Sequence, residues 1–216
     1  SPPDLEAILR ILILNPNTTS DVTDLLVAAA RPVAGPQTRI VASTAPRGVP
    51  YISTRGEALI GGSIALETLA ERHSELDAAI IAAFGDPGLF AARELFDIPV
   101  IGMSEAAMLT ACMLGQRFAI VTFAPALGSW YRDCVDMHGL WGRCAGIRSL
   151  DESFASVSDV QVEKEEMLVA LANRAVKEDD ADVVILAPWM FISAGIRYLI
   201  FAAIPDLRPA EQEPTP

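Results

Sequence analysis

The stretch that decides the fold is Arg10-Ile-Leu-Ile-Leu-Asn-Pro-Asn-Thr-Thr19. Its continuous apolar run is typical of a strand that is buried on both faces of a parallel sheet. The asparagines, proline and threonines that follow are typical of a turn that leads into a helix. This stretch therefore predicts the strand, loop and helix start of a βα unit.

The same alternation of apolar runs and amphipathic stretches continues along the chain. It predicts an α/β fold, with mostly parallel sheets flanked by helices. Thr18 and Thr54 fit capping boxes with an acid three residues later, and Asp86 precedes a proline. Each cap follows a strand, at the sheet edge where α/β proteins bind ligands. The predicted strands are Ile8–Leu14, Arg39–Ala42, Ala78–Ala83, Pro99–Gly102, Phe118–Phe123, Ala145–Ser149 and Val183–Ala187.

Two internal matches suggest that the chain repeats itself. Residues 77–83 can be laid on 182–188, and residues 10–15 on 117–122. Because any two buried parallel strands resemble each other, both a duplication and a chance likeness stay open.

A duplication predicts two lobes with a cleft between them. The 216 residues are enough for one domain or two small ones. The predicted lobes are residues 1–108 and 109–205, with two pseudo-symmetric sheets. Residues 206–216 are rich in proline and acids, so we expect a flexible tail there.

Composition excludes several classes of function. The chain is 51% hydrophobic and 20% charged, with a net charge of -12. Such an acidic protein is not expected to bind nucleic acid or an anionic membrane surface. No apolar run reaches the roughly 18 residues that a membrane span needs, and the first residues do not resemble a signal peptide. We therefore expect a cytoplasmic protein whose partner is a small molecule.

The cysteines and histidines do not form a recognisable metal or redox motif. Cys112, Cys134 and Cys144 lack C-x-x-C spacing, and His73 and His138 lack the H-E-x-x-H pattern. We expect no catalytic metal and no disulfide framework. Because Cys112 falls in an apolar helical stretch and the other two lack a histidine or lysine neighbour, structural thiols are expected.

The first candidate binding loop is Asn15-Pro-Asn-Thr-Thr19. The side chains of Asn15, Asn17, Thr18 and Thr19 offer amides and hydroxyls at a helix start, and these groups can hold a small carboxylate, imide or amide. The same residue types form Asx-turns and helix caps, so a structural role is the alternative.

The second candidate loop is Phe84-Gly-Asp-Pro-Gly-Leu89. Gly85 allows a close backbone approach, and the N–H groups of Phe84 and Gly85, following Ala83, can form an oxyanion hole for an enolate. Asp86 is the nearest ionisable group, and its alternative role is to cap the helix that follows.

Two residues at further strand ends complete the predicted rim of the site, Ser104 and Thr122. Their structural alternatives are a helix cap for Ser104 and local backbone hydrogen bonding for Thr122. Gly61 and Gly62 lack the rest of a phosphate-binding loop and are expected to allow close helix packing.

The two loops together resemble those of the hydantoin and allantoin racemases of the aspartate/glutamate racemase superfamily. The similar segments are Ile13-Leu-Asn-Pro-Asn-Thr-Thr19, Phe84-Gly-Asp-Pro-Gly-Leu89, Ala91-Ala-Arg-Glu94, Ile98-Pro-Val-Ile-Gly-Met103 and Glu105-Ala-Ala107. The resemblance covers roughly residues 8–186. It implies two α/β lobes around a cleft, no cofactor, and one cysteine per lobe that moves the proton next to a carbonyl.

The positions of the family's two cysteines fall on Ala83 and Pro188 in this chain. Neither side chain can carry a proton, although the internal alignment pairs the same two positions. The resemblance implies a racemase or isomerase that acts on hydantoin, allantoin or a related amino-acid derivative. The alternatives are an inactive member that binds a small molecule and a decarboxylase on the same scaffold.

The chain also departs from the family after about residue 187. The returning strand and helix of the family are not recognisable between Phe191 and the tail. Either the chain is altered there or a partner subunit covers the surface, which leaves a homo-oligomer open.

Overall fold

The described part of the chain holds two four-stranded sheets with helices packed on them. In this computed structural model, the structure describes residues 8–123, 125–150 and 165–187, and the backbone of the strand Ile200–Ala202. Pro188, most of the run after Phe191 and the tail 206–216 lie outside the described residues.

The first sheet has the strand order β2-β1-β3-β4, and all of its strands are parallel. Each strand is followed by a helix, as the alternating pattern predicts. In chain order the elements are β1 (Leu9–Asn15), α1 (Ser20–Ala30), β2 (Thr38–Thr44), α2 (Arg55–Arg72), β3 (Ala78–Ile81), α3 (Leu89–Leu95), β4 (Val100–Gly102) and α4 (Met103–Leu114).

The second sheet has the order β6-β5-β7-β8, in which β8 alone runs antiparallel to its neighbour. Its elements are β5 (Phe118–Thr122), α5 (Pro125–Met137), β6 (Cys144–Ser149), α6 (Glu165–Glu178), β7 (Val183–Leu186) and β8 (Ile200–Ala202). The α/β fold class is confirmed, and all seven predicted strands are present within one or two residues of their expected bounds. The sequence reasoning missed β8.

The two sheets repeat the same backbone contacts at their starts. In the first sheet, Arg10 N–H donates to the Asp77 carboxylate over 2.6 Å. In the second, Arg117 N–H donates to the Asp182 carboxylate over 2.9 Å. An aspartate just before the third strand therefore fixes the central strand in both halves.

The same correspondence holds where the strands end at the cleft. Ala82 N–H donates to Leu14 O over 2.8 Å, and Ala187 N–H donates to Val121 O over 2.9 Å. The internal alignment pairs Ala82 with Ala187, so the hydrogen bonds support its register up to the residue before Pro188. The lobe division at residue 108 stays a prediction, and that residue lies inside α4.

The largest hydrophobic cluster joins the two halves. It is centred on β5 and β7 of the second sheet but includes Ile52, Phe84 and Met108 from elements of the first half. Trp130 and Tyr131 of α5 belong to the same cluster. Burial of apolar surface across the two sheets therefore holds the loops of the first half against α5.

The predicted caps have different outcomes. The capping box at Thr54 is confirmed, because its hydroxyl accepts from Glu57 N–H and the Glu57 carboxylate accepts from Thr54 N–H. The box at Thr18 is wrong: α1 follows Thr19, whose hydroxyl donates to Pro50 O instead. The cap at Asp86 is also wrong for α3, which follows Gly88 in a left-handed conformation.

The paired glycines of α2 pack closely, as expected. A Cβ at Gly62 would lie 3.0 Å from Gly88 N, and one at Gly61 would lie 2.9 Å from the Ile52 side chain. Within the described ranges, no helix combines the length and apolar character required to cross a membrane. Those ranges also contain no cluster of three histidine, cysteine or acidic residues suited to a metal ion.

We predict that Thr54→Ala lowers the free energy of unfolding by about 1 kcal/mol, because a side-chain acceptor at the start of α2 is lost. Urea unfolding followed by circular dichroism measures the change. Ser63→Ala, at an exposed position in the same helix, is the control and should stay within about 0.5 kcal/mol. Equal effects of the two substitutions would contradict the role of the capping box.

Candidate active site

A cleft lies between the carboxyl ends of the two sheets. Most of its described lining comes from loops and helix starts of the first half, while Tyr131 and Ala187 come from the second. This position matches the expected binding edge of α/β sheets. The lining residues are Asn17, Val22, Tyr51, Ile52, Ala82, Ala83, Phe84, Met103, Tyr131 and Ala187.

Asn15 is a structural residue of the first loop. It is fully buried, and its side-chain nitrogen lies within hydrogen-bonding distance of Asn17 Oδ1, Thr19 O and Thr23 Oγ1. Its oxygen accepts from Asn17 N–H. These hydrogen bonds shape the loop, and a contact between Asn15 and substrate stays a prediction.

Asn17 lines the cleft and keeps a donor for a ligand. Its oxygen accepts from Thr19 N–H over 3.0 Å, which fixes the orientation of the amide. Within the described residues, the amide nitrogen of Asn17 makes no hydrogen bond. That NH₂ group can donate to a carbonyl oxygen in the cleft.

Thr18 and Thr19 hold the loop from its outer side. Thr18 N–H donates to Val49 O over 3.0 Å, and the Thr19 hydroxyl donates to Pro50 O over 2.8 Å. Neither residue is among those that line the cleft. Their contacts tie the first loop to the segment that carries Tyr51.

The second loop presents backbone donors. Ala83 and Phe84 line the cleft, and Ala83 is half-buried. In the described part of the chain, none of the N–H groups of Ala83, Phe84 and Gly85 donates to a protein acceptor. The predicted role of the Phe84 and Gly85 N–H groups in an oxyanion hole stays a prediction.

Gly85 permits a close contact between the two halves. Its φ of +109° is unfavourable for other residues, and a Cβ there would collide with the ring of Trp130 from α5. Phe84 packs edge-on against Tyr131, with ring centroids 4.8 Å apart. Aromatic rings of the second half therefore pack against the second loop.

Asp86 caps a different helix from the one expected. Its carboxylate accepts from the N–H groups of Ser104 and Glu105, both over 2.8 Å, at the start of α4. Asp86 is nearly fully buried and has a φ of +48°. These contacts make it a structural residue that connects the second loop to α4.

Ser104 and Thr122 are both fully buried behind the cleft. Ser104 is not the helix cap, because Gly102 is the residue that precedes α4. The Ser104 hydroxyl lies 3.6 Å from Cys134 Sγ. Thr122 lacks a hydrogen bond of regular geometry among the described residues, although its hydroxyl interacts with the phenol of Tyr131.

Two tyrosines that sequence reasoning missed line the cleft, one from each half. Burial raises the pKa of Tyr51, and the charge of Glu57 adds to the rise. Burial likewise raises the pKa of Tyr131 well above its ordinary value, with a further contribution from Tyr51. Both phenols are neutral donors at physiological pH. No local motif marks them, because only the tertiary fold brings the loop after β2 close to α5.

The described cysteines do not supply a reactive thiolate. Burial is the main cause that raises the pKa of Cys134 to about 12 and that of Cys144 to about 11. All three cysteines are free thiols, and none lines the cleft. These environments agree with structural roles for Cys134 and Cys144.

Comparison with known proteins decides the family. The Asp/Glu/Hydantoin racemase family profile matches residues 11–187. The chain belongs to this family. It is 35% identical over 182 residues to the hydantoin racemase of Pseudomonas sp. strain NS671, covering 82% of this chain and 72% of that protein.

Solved structures of family members show the same architecture. Allantoin racemase from Klebsiella pneumoniae is 37% identical, with a TM-score of 0.79 over 86% of this chain and 76% of that one. Allantoin racemase from Pseudomonas fluorescens is 30% identical, with a TM-score of 0.78 over 86% of this chain and 79% of that one. The resemblance expected from the loop sequences is confirmed.

The resemblance assigns the family's first cysteine to position 83. In this chain that residue is alanine, so its side chain is a methyl group. Ala83 lies in the cleft beside the backbone donors. Pro188, the second position, lies outside the described residues, while the preceding Ala187 lines the cleft.

We predict that Gly85→Ala destabilises the protein by about 2 kcal/mol or more, because the new Cβ meets Trp130 and the positive φ is strained. Thermal and urea unfolding measure the effect. Gly128→Ala is the control, since a Cβ at Gly128 in α5 meets no atom within 4 Å. A stability loss no greater than that of the control would contradict the close contact with Trp130.

Proposed function

We propose that this protein binds a small cyclic ureide of the hydantoin type in its cleft and does not exchange the ligand's α-proton by a two-thiol route. The observation that carries the proposal is that Ala83 lines the cleft beside backbone N–H groups that donate to no acceptor among the described residues. A methyl group can neither remove nor return a proton, whereas the donors beside it can still bind a carbonyl oxygen.

The polar groups of the described lining suit a ligand that presents acceptor oxygens. They are the Asn17 amide, the N–H groups of Ala83 and Phe84, and the two phenols. Neutral phenols and backbone N–H groups stabilise negative charge on a carbonyl oxygen without a cationic side chain. The described lining contains no carboxylate, imidazole or amine that could act as a base.

The apolar lining indicates which ring substituent fits. Val22, Ile52, Phe84 and Met103 surround the polar groups. An apolar group on the hydantoin ring buries surface against these side chains, whereas the ureido group of allantoin would lose hydrogen bonds to water there. We therefore propose that 5-alkylhydantoins bind more tightly than allantoin.

A second candidate function is racemisation of the same ligand with another proton carrier. The observation in its favour is the 35% identity to a hydantoin racemase across 82% of this chain. Under this alternative, binding proceeds as proposed, and a group outside the described residues moves the proton.

Proton exchange of optically pure 5-alkylhydantoins in deuterated water separates the two candidates. We predict saturable, ligand-induced NMR shifts, with exchange of the α-proton no more than twofold faster than in a protein-free control, because the described cleft lacks a base. Polarimetry follows the optical rotation in parallel. Faster exchange with loss of rotation would favour racemisation, and absence of ligand-induced shifts would contradict both candidates.

Restoring both thiols tests the assignment of Ala83 and Pro188. We predict that Ala83→Cys with Pro188→Cys makes loss of rotation at least tenfold faster than in the unmodified protein, because two thiols on opposite faces can protonate either face of the enolate. Ala83→Cys alone should exchange the proton of one enantiomer with little inversion. The control is the matching pair of serine substitutions, whose hydroxyls are too weakly acidic for this role. A folded double-cysteine variant without gain would contradict the alignment.

A further inference from the structure

A buried histidine lies between two carboxylates where the halves of the protein meet. His138 follows α5, and its side chain is 5% exposed. Its Nε2 lies 3.4 Å from Asp86 Oδ2, and its Nδ1 lies 3.5 Å from Glu105 Oε1. Asp86 lies in the second loop and Glu105 in α4, and their side chains are 1% and 17% exposed.

Distance and burial place the His138 ring between the two carboxylates. Each ring nitrogen lies within 3.5 Å of a carboxylate oxygen, and the buried Nε2 has no hydrogen-bond partner among the described residues. Arg93 adds a guanidinium to the same cluster. Arg93 binds Glu105 through two contacts of 2.9 and 2.5 Å and is the leading cause that lowers the Glu105 pKa, with a smaller contribution from His138.

Aromatic packing and helix capping hold this cluster in place. The ring of Phe90 in α3 lies against His138, with centroids 5.4 Å apart. Asp86 accepts the first N–H groups of α4, and a Cβ at Gly102 would lie only 2.5 Å from Asp86 Oδ2. The Asp86 carboxylate therefore has little room to move unless α4 or His138 moves.

Asp86 connects the cluster to the ligand-binding donors. It follows Gly85 directly, and its N–H donates to Ala83 O over 3.1 Å, which closes the loop into a tight turn. A displacement of Asp86 would therefore displace the backbone of Ala83 and Phe84, which line the cleft. His138 reaches this turn from the second half of the molecule.

We propose that His138 is a positioning residue: its buried ring lies between Asp86 and Glu105 and thereby holds the turn at residues 83–86 in its ligand-binding geometry. This role rests on the proposed binding of a hydantoin-type ligand. His138 does not line the cleft, so it acts through Asp86 rather than by contact with the ligand.

The test compares the two histidines of the chain. His138→Gln removes the ring between the two carboxylates, and His73→Gln is the matched control, since His73 packs on Phe96 and contacts Leu69 O away from the cleft. Isothermal titration calorimetry with a 5-alkylhydantoin should show at least tenfold weaker binding for His138→Gln and less than a twofold change for His73→Gln. NMR of the unmodified protein should show a ligand-induced shift of the His138 ring signal only.

Amide hydrogen exchange tests the positioning role without a ligand. Its result therefore does not depend on the proposed function. If the unmodified protein binds no hydantoin, the proposed function fails, but faster exchange at residues 83–86 in His138→Gln than in His73→Gln still supports the positioning role. Unchanged exchange there, or unchanged affinity with a folded variant, would overturn it. Should His138→Gln fail to fold, Glu105→Gln removes one of the two carboxylates, and the same local increase in exchange is expected.

Discussion

The buried carboxylate of Asp86 is the interaction on which the site depends. It accepts the first free N–H groups of α4 and lies next to Gly102, where a side chain would collide with it. A carboxylate at a helix N-terminus is favourable because it satisfies free N–H groups and complements the helix dipole. This contact fixes the turn between β3 and α3, and with that turn the backbone donors at the cleft.

Side chains from the second half of the molecule pack against the same turn. Trp130 occupies the space that a side chain at Gly85 would need, Tyr131 packs on Phe84, and His138 lies beside Asp86. Because α5 and the residue that follows it supply these contacts, the geometry of the first-half loop depends on how the two sheets pack. The two halves thus share one site, although each sheet repeats its own hydrogen-bonding pattern.

The chemistry of the cleft follows from which groups it keeps and which it lacks. Under the proposed function, the backbone donors bind a carbonyl oxygen, while the methyl group of Ala83 offers no proton carrier. Oxyanion stabilisation and proton transfer are separate contributions, so a protein can keep the first without the second. The phenols of the two tyrosines remain neutral. They therefore act as hydrogen-bond donors and not as bases.

The sequence by itself determined the strands, the α/β class, the capping box at Thr54 and the family, because apolar runs and short motifs act over a few residues. It did not determine the roles of Asn15, Asp86, Tyr51 or His138. A local pattern assigned Asp86 to the nearest helix, but its carboxylate caps α4, whose first turn lies 18 residues further along the chain. Only the tertiary structure decides such partners, since hydrogen bonds and ion pairs depend on distance in space rather than on separation along the chain.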